Sequence, residues 1–283
     1  MAGAAASPER LSSIFHPSDF SPSSQVAFAH ALKIALLTHA DLNVLHVRDA
    51  DNADWADFPG VRQMLERWRV LPPGSPKSAV PALGIDVRKV MIQDSDPVAA
   101  CVRYLKRTPT DLVVLATHQH EGRARWLSKA VAEPLARESG LLALFLPSGV
   151  EGFVSGKDGS VTLRSVLIPV ASDPRPDAAI EAARRVVAGL QLPQVTFTAL
   201  YVGDPAAMPG LSFEPRAGWT WRTMTGQGDV VDTILAVASE CAADLLVMAT
   251  RGHHGFLDAL RGSTTERVVR QARCPVLGVP TGA

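Results

Sequence analysis

What this chain lacks narrows its function before anything it contains. Three cysteines, Cys101, Cys241 and Cys274, stand far apart and without metal-ligand spacing. That fits small core residues in a reducing compartment better than a disulfide framework. Neither sign of charge is in excess, since 28 Lys and Arg balance 28 Asp and Glu. No global field therefore argues for nucleic acid or an anionic membrane as partner. No apolar run reaches bilayer length, and the Ala-rich residues 1–8 lack a charged start followed by a long apolar core, so the expectation is a cytoplasmic chain. Familiar catalytic signatures are missing too: there is no P-loop G-x4-G-K-[ST] and no Ser-His-Asp set with an elbow motif. What the chain does have is bulk, with 47% hydrophobic residues in 283, enough for two cores of ordinary size.

Taken in order, strand and helix patterns alternate. A short apolar strand ends at Pro17, and Ser21-Pro22 opens an Ala-rich helix to about residue 39. Residues 41–47 read as the next strand. Residues 48–82 break the pattern with Trp55, Phe58, Trp68 and prolines that include Pro72, Pro73, Pro76 and Pro81, around a short helix at 61–69. A lid, a dimer arm and a surface excursion are all compatible with that composition, and we read it as a surface excursion. Regular structure resumes with a strand at 85–92, a helix at 96–107, a buried strand at 111–116, a helix near 131–138 and a strand at 141–146. Residues 148–162, rich in Gly and Ser, read as a linker. The same order then repeats: strand 164–170, helix 177–190, strand 195–202, strand 219–225, helix 229–242, strand 244–249, helix 263–273 and strand 275–279.

The two halves align with each other. Leu45-His46-Val47 matches Leu200-Tyr201-Val202 at an offset of 155, and Asp111 to Thr117 matches Asp244 to Thr250 at 133. Asp96 and Asp229, Glu133 and Glu266, and Pro147 and Pro280 follow the second offset. The offsets differ by 22, so the first half carries about that many extra residues between Val47 and Ile85. A tandem duplication of a β-α-β-β-α-β-α-β unit is the reading. Strands alternating with helices, several of them uninterrupted apolar runs, imply an α/β fold with mainly parallel sheets covered on both faces. Ligands in such sheets sit beyond the carboxyl ends of the strands, at the switch point.

One such place draws the eye. Between the strand at 244–249 and a helix start at Ser263, with Glu266 three residues on as in a capping box, lie Gly252, Gly255 and Gly262. Glycines let backbone N–H groups approach an anion, and a helix N-terminus adds donors and a favourable dipole. His118, His120, His253 and His254 lie in the two equivalent loops, but no Cys or carboxylate at ligand spacing accompanies them, so no metal site is expected. Asp258 stands in the loop without a catalytic partner, and no dedicated enzyme is indicated.

These residues resemble the universal stress proteins, specifically the tandem two-domain kind. Nucleotide-binding members carry a G-x2-G-x9-G-[ST] loop and a P-[TV]-D turn after the first strand. The second half matches the loop at Gly252, nine residues, Gly262 and Ser263, with Ala249 in place of the first glycine. The resemblance implies two doubly wound open-sheet domains with five-stranded sheets, adenine nucleotide alpha hydrolase-like, at 1–147 and 163–283. It implies a stress-response protein binding ATP or a related adenine nucleotide, with Mg, chiefly in the second domain. The loop backbone with Ser263 and Thr264 would hold phosphates and Val202 would flank the base. Pro169, Val170, Ala249, Thr250 and His253 would complete the site. It further implies an internal pseudo-dimer in which the last strands, 275–279 and 141–146, seal each other, and it leaves a homodimer open.

Each half departs from the family pattern. In the second, the turn reads Pro169-Val170-Ala171, so the aspartate is an alanine, with Asp173 two residues on. In the first, Pro17-Ser18-Asp19 keeps the aspartate, but Gln119 and Lys129-Ala130 replace the glycines and hydroxyl. Three readings compete: a site in the second half alone, a shared site that includes Asp19, and a scaffold with both sites degenerate. An enzyme of the wider nucleotide-binding α/β group is the outside reading.

Overall fold

The computed structural model describes residues 11–48, 54–117, 132–251 and 264–281. The first half contains β1 (Ser13–Pro17), α1 (Pro22–Thr38), β2 (Asp41–Arg48), α2 (Val61–Arg67), β3 (Val87–Gln93), α3 (Pro97–Leu105), β4 (Leu112–Thr117), α4 (Ala132–Ser139) and β5 (Leu142–Pro147). The second contains β6 (Ser165–Val170), α5 (Asp177–Gly189), β7 (Val195–Val202), β8 (Trp219–Gly226), α6 (Val230–Glu240), β9 (Leu245–Arg251), α7 (Thr264–Gln271) and β10 (Val276–Thr281). Helix starts follow from their caps. Ser21 accepts from Ser24 N, Asp96 from Ala99 N, and Asp229 from Val231 N and Asp232 N, each satisfying amides that a helix leaves unpaired.

The strands run β3-β2-β1-β4-β5-β10-β9-β6-β7-β8 in one ten-stranded sheet. Every pairing is parallel except the central one, where β5 meets β10 antiparallel through Phe145–Val276, Leu144–Leu277 and Ala143–Gly278. The two expected five-stranded sheets are therefore present but fused, and the anticipated sealing of the last strands is the seam. Because that seam is antiparallel, the strands of the two halves point in opposite directions, and their carboxyl-end rims lie at opposite ends of the sheet.

Alternate residues of each strand face opposite layers. On one face Ile14, Val114, Ile168 and Val247 pack against α1 and α5. On the other, Phe15, Val113, Leu167 and Leu246 pack against α3, α4, α6 and α7. Burial on both faces is why β4 reads as an unbroken apolar run. A repeated carboxylate stitches the centre of each half: Asp111 Oδ2 accepts from Ser12 N and Ser13 N, and Asp244 Oδ2 from Arg164 N and Ser165 N. Burial alone would raise the Asp111 carboxyl, but the Ser12 hydroxyl, these amides and Arg185 outweigh it and hold it below the ordinary range.

One expectation needs correction. The segment expected as a surface excursion is packed in: Phe58, Leu65, Trp68 and Leu71 are all buried in the α1-side core. Its apolar rings and leucines gain by leaving water, which favours packing on the core over an excursion into solvent. The segment expected as a linker is ordered as well. Val154 bridges Val161 antiparallel, and Phe153, Val154 and Leu163 are buried. Its order depends on a distant acceptor. His30 Nε2 on α1 accepts from Phe153 N at 3.0 Å and Val154 N at 3.1 Å, while its Nδ1–H donates to Val26 O at 2.8 Å. Trp68 Nε1 donates to Gly156 O, tying the insertion to the same loop. Among the described residues no helix is long and apolar enough to cross a membrane.

Candidate functional site

In each half the chain turns in opposite directions after its first and fourth strands, so the switch points lie between β1 and β4 and between β6 and β9. Around the second of these the structure gathers several expected residues. Pro169 and Val170 end β6, with Val170 buried and in register with Tyr201. Val202 ends β7 and is half-buried against the α6 side, while Ala249 faces the α5 side. Thr250 is buried; its hydroxyl donates to Val279 O at 3.3 Å, and its carbonyl accepts from Thr281 Oγ1 at 2.8 Å. The Thr250 proton is thereby committed to the β9–β10 joint. Thr264 begins α7 and is exposed. Gly252, His253, Gly262 and Ser263 lie outside the described residues, as do His118, His120 and His254. Glu266, expected to reach back to the helix start, is buried and forms an ion pair with Arg270.

Asp19 is not part of that group. It follows β1, four strand positions from β9, or about 19 Å across the sheet. It also lies on the opposite rim. There its Oδ1 accepts from Ser21 N at 3.0 Å, a turn that leads into the Ser21 cap. Within one chain the strand order thus keeps Asp19 away from the described residues of the second rim.

The first rim holds groups that pattern reading passed over. His16 is fully buried, and burial pushes its imidazole down to about 4, against the hydrogen bond to Val114 and the Asp19 charge. A neutral ring orders the protons around it. His16 Nδ1–H donates to Val114 O at 2.9 Å, so Nε2 accepts from Ser24 Oγ at 3.2 Å. Ser24 then accepts from Ser18 Oγ at 3.0 Å, and Ser18 Oγ accepts from Phe20 N. Next to this chain, His46 Nδ1–H donates to Ser18 O at 2.8 Å and its ring stacks on Phe20 at 4.1 Å. The available signal was a histidine near the end of each of two apolar strands, with serines in the following turn. The cysteines add no reactive centre: burial raises Cys101 and Cys274 to about 12 and raises Cys241 as well.

A cavity of about 490 Å³ between α6 and α7, lined by Leu235, Ala238, Leu246, Ala272 and Cys274, opens at the amino end of β9. It is at the wrong end of the strands to serve the switch point. Among the described residues no cluster of three His, Cys, Asp or Glu could hold a metal ion.

A doubled α/β unit with a switch-point rim at either end of a continuous sheet is the class of protein defined by this geometry. The sequence profile of the universal stress protein family matches residues 12–140 and 214–280, and the chain belongs to that family. Over 53 residues it is 43% identical to a universal stress protein of Methanocaldococcus jannaschii, a match spanning 19% of this chain and 31% of that relative. A universal stress protein structure from Archaeoglobus fulgidus aligns over 95% of this chain and 98% of its own, with 17% identity and a TM-score of 0.62. A universal stress protein solved in complex with cAMP aligns over 50% of this chain and 99% of its own, with 20% identity and a TM-score of 0.37.

Proposed function

We propose that this chain is a stress-response protein that binds one adenine nucleotide, ATP or a relative, at the rim of its second half, with no dedicated turnover. The observation that carries the reading is internal to the molecule. Both halves join their fourth strand to a helix, β4 to α4 and β9 to α7. The first connection does so with Gln119 and Lys129-Ala130, where the second has Gly252 and Gly262-Ser263. The fold does not require those glycines. Backbone approach to an anion at the start of α7 is what they would permit. Val170 and Val202 supply apolar walls on the same rim. In this reading the phosphates lie toward α7 and the base toward the ends of β6 and β7. A scaffold without nucleotide is the second reading, favoured by Ala171 in place of the family aspartate. That loss costs about 1 kcal/mol if it removes one hydrogen bond to a ligand hydroxyl, which an intact phosphate site tolerates.

Calorimetry separates the two. Wild-type protein titrated with Mg-ATP should show a single saturable site, and Gly262→Val, which places a side chain where the backbone would meet phosphate, should weaken it at least about tenfold. The absence of any calorimetric or thermal-shift signal at millimolar Mg-ATP would leave the scaffold reading in possession.

A further inference from the structure

Among the described residues the two rims differ in the aromatic rings they carry. On the first, Phe58 lies edge-on to Phe20 at 5.2 Å and to His46 at 6.5 Å, and Trp55 stacks on Phe58 at 5.5 Å. Phe58 is 4% exposed and Trp55 57% exposed, so the inner ring is sealed and the outer one forms the lid. Lys89 Nζ approaches the Phe58 ring to 5.8 Å from β3. Phe20 itself has φ of 62°, a conformation that costs a bulky residue about 1–2 kcal/mol and persists only where surroundings hold it. The ring stack is what holds it.

Among the described residues the second rim carries no such ring stack. The residue equivalent to Phe20 is Ser172, and the one equivalent to His46 is Tyr201. Its connector also carries an aromatic, Phe213, but that ring stacks on Trp221 at 4.4 Å, which stacks in turn on Phe197 near the amino end of β7. Phe58 and Phe213, from the same connection in the two halves, thus lie toward opposite ends of the strands. In the first half the insertion is also pinned at its far side. Trp68 donates to Gly156 O, Lys33 Nζ lies 5.7 Å from its ring, and the φ of +70° at Gly159 brings that backbone against the indole.

We propose that residues 54–58 are a built-in occupant of the first rim, with Phe58 filling and Trp55 roofing the space over Phe20 and His46 that a planar aromatic ligand would otherwise take. The insertion then adds to the altered first loop a second reason why one chain offers one ligand rim and not two. The ligand class rests on the proposed function, so the two rims are read separately, through His46 for the first and Tyr201 for the second. The probe is adenosine, which has a planar base and no phosphate for the altered first loop to reject. Full-length protein is labelled at histidine and tyrosine, and ring signals are followed by NMR. In the wild type His46 should not respond to adenosine. In Phe58→Ala it should shift saturably, with affinity at least about tenfold above any wild-type response. Phe58→Val, which keeps a branched apolar group in the core, carries the same expectation should the alanine variant fold poorly. A wild-type His46 that already responds, or a folded Phe58 variant in which His46 does not, overturns the proposal. Silence of Tyr201 with a responsive His46 in the variant counts against the proposed function and leaves this inference standing.

Discussion

Replacing His30 by leucine tests how one side chain orders a segment more than 120 positions away. His30 Nε2 is the acceptor for the amides of Phe153 and Val154, and the ring packs edge-on to Phe153 at 4.8 Å. Leucine of similar volume leaves two buried N–H groups unpaired, at about 1–3 kcal/mol each, and recovers a little apolar contact. At pH 8 we expect a loss of about 2–5 kcal/mol. The pH dependence is the sharper part. Burial pushes the His30 imidazole from 6.5 to about 4, against the bond to Val26. The unfolded chain therefore binds a proton that the native state refuses, and wild-type stability falls as pH drops from 6.5 toward 4. At about 1.4 kcal/mol per pH unit that window is worth about 3 kcal/mol for His30. His16 contributes a similar slope to both proteins and cancels in the comparison. Urea unfolding between pH 8 and pH 4.5 should show the deficit of His30→Leu shrinking with acidity. Parallel stability curves, or a variant as stable as wild type at pH 8, would refute the reasoning.

Three further substitutions probe other parts of the account. Gly152→Ala should cost at least about 1–3 kcal/mol, because a Cβ there meets His30 Nε2 and the backbone φ is +72°; thermal unfolding reads it, and a neutral result would mean the linker loop is not held as described. Gly218→Ala should be at least as costly, since its Cβ would overlap the Pro193 carbonyl at φ +82°, and hydrogen exchange should show the loss concentrated in β8. Leu277→Ala, at the antiparallel seam and 1% exposed, should lose about 2–5 kcal/mol in denaturant unfolding. Exchange protection should fall in β5 as well as β10, and a response confined to β10 would contradict a shared core.

Much of this architecture was legible because duplication makes a sequence its own control. Asp96 and Asp229 read as helix starts and prove to be caps, and the apolar runs 141–146 and 275–279 read as mutual cover and prove to be the seam. What escaped depended on partners distant in sequence. Gly and Ser in 148–162 suggest flexibility, and nothing local reveals that His30, in an Ala-rich helix, supplies the missing acceptor. The aromatic residues of the insertion gave no sign of facing inward until Phe20 and His46 were placed beside Phe58. Asp111 and Asp244 were visible as a repeat, but their use as stitches between strands depends on backbone amides, which no side-chain pattern shows. At the candidate site the supporting strands were legible. Asp19 entered because Pro17-Ser18-Asp19 keeps the family aspartate that the second half lacks, and the opposed direction of the two rims cannot be read before the seam is known.

The central claim is one adenine nucleotide per chain, held by the second half. Native mass spectrometry of the purified full-length protein with Mg-ATP, combined with identification of any ligand it retains on isolation, tests it most directly. The account predicts a mass increment of one adenine nucleotide per chain that disappears in Gly262→Val and persists in Phe58→Val. No increment, or an increment unaffected by Gly262→Val, would contradict it.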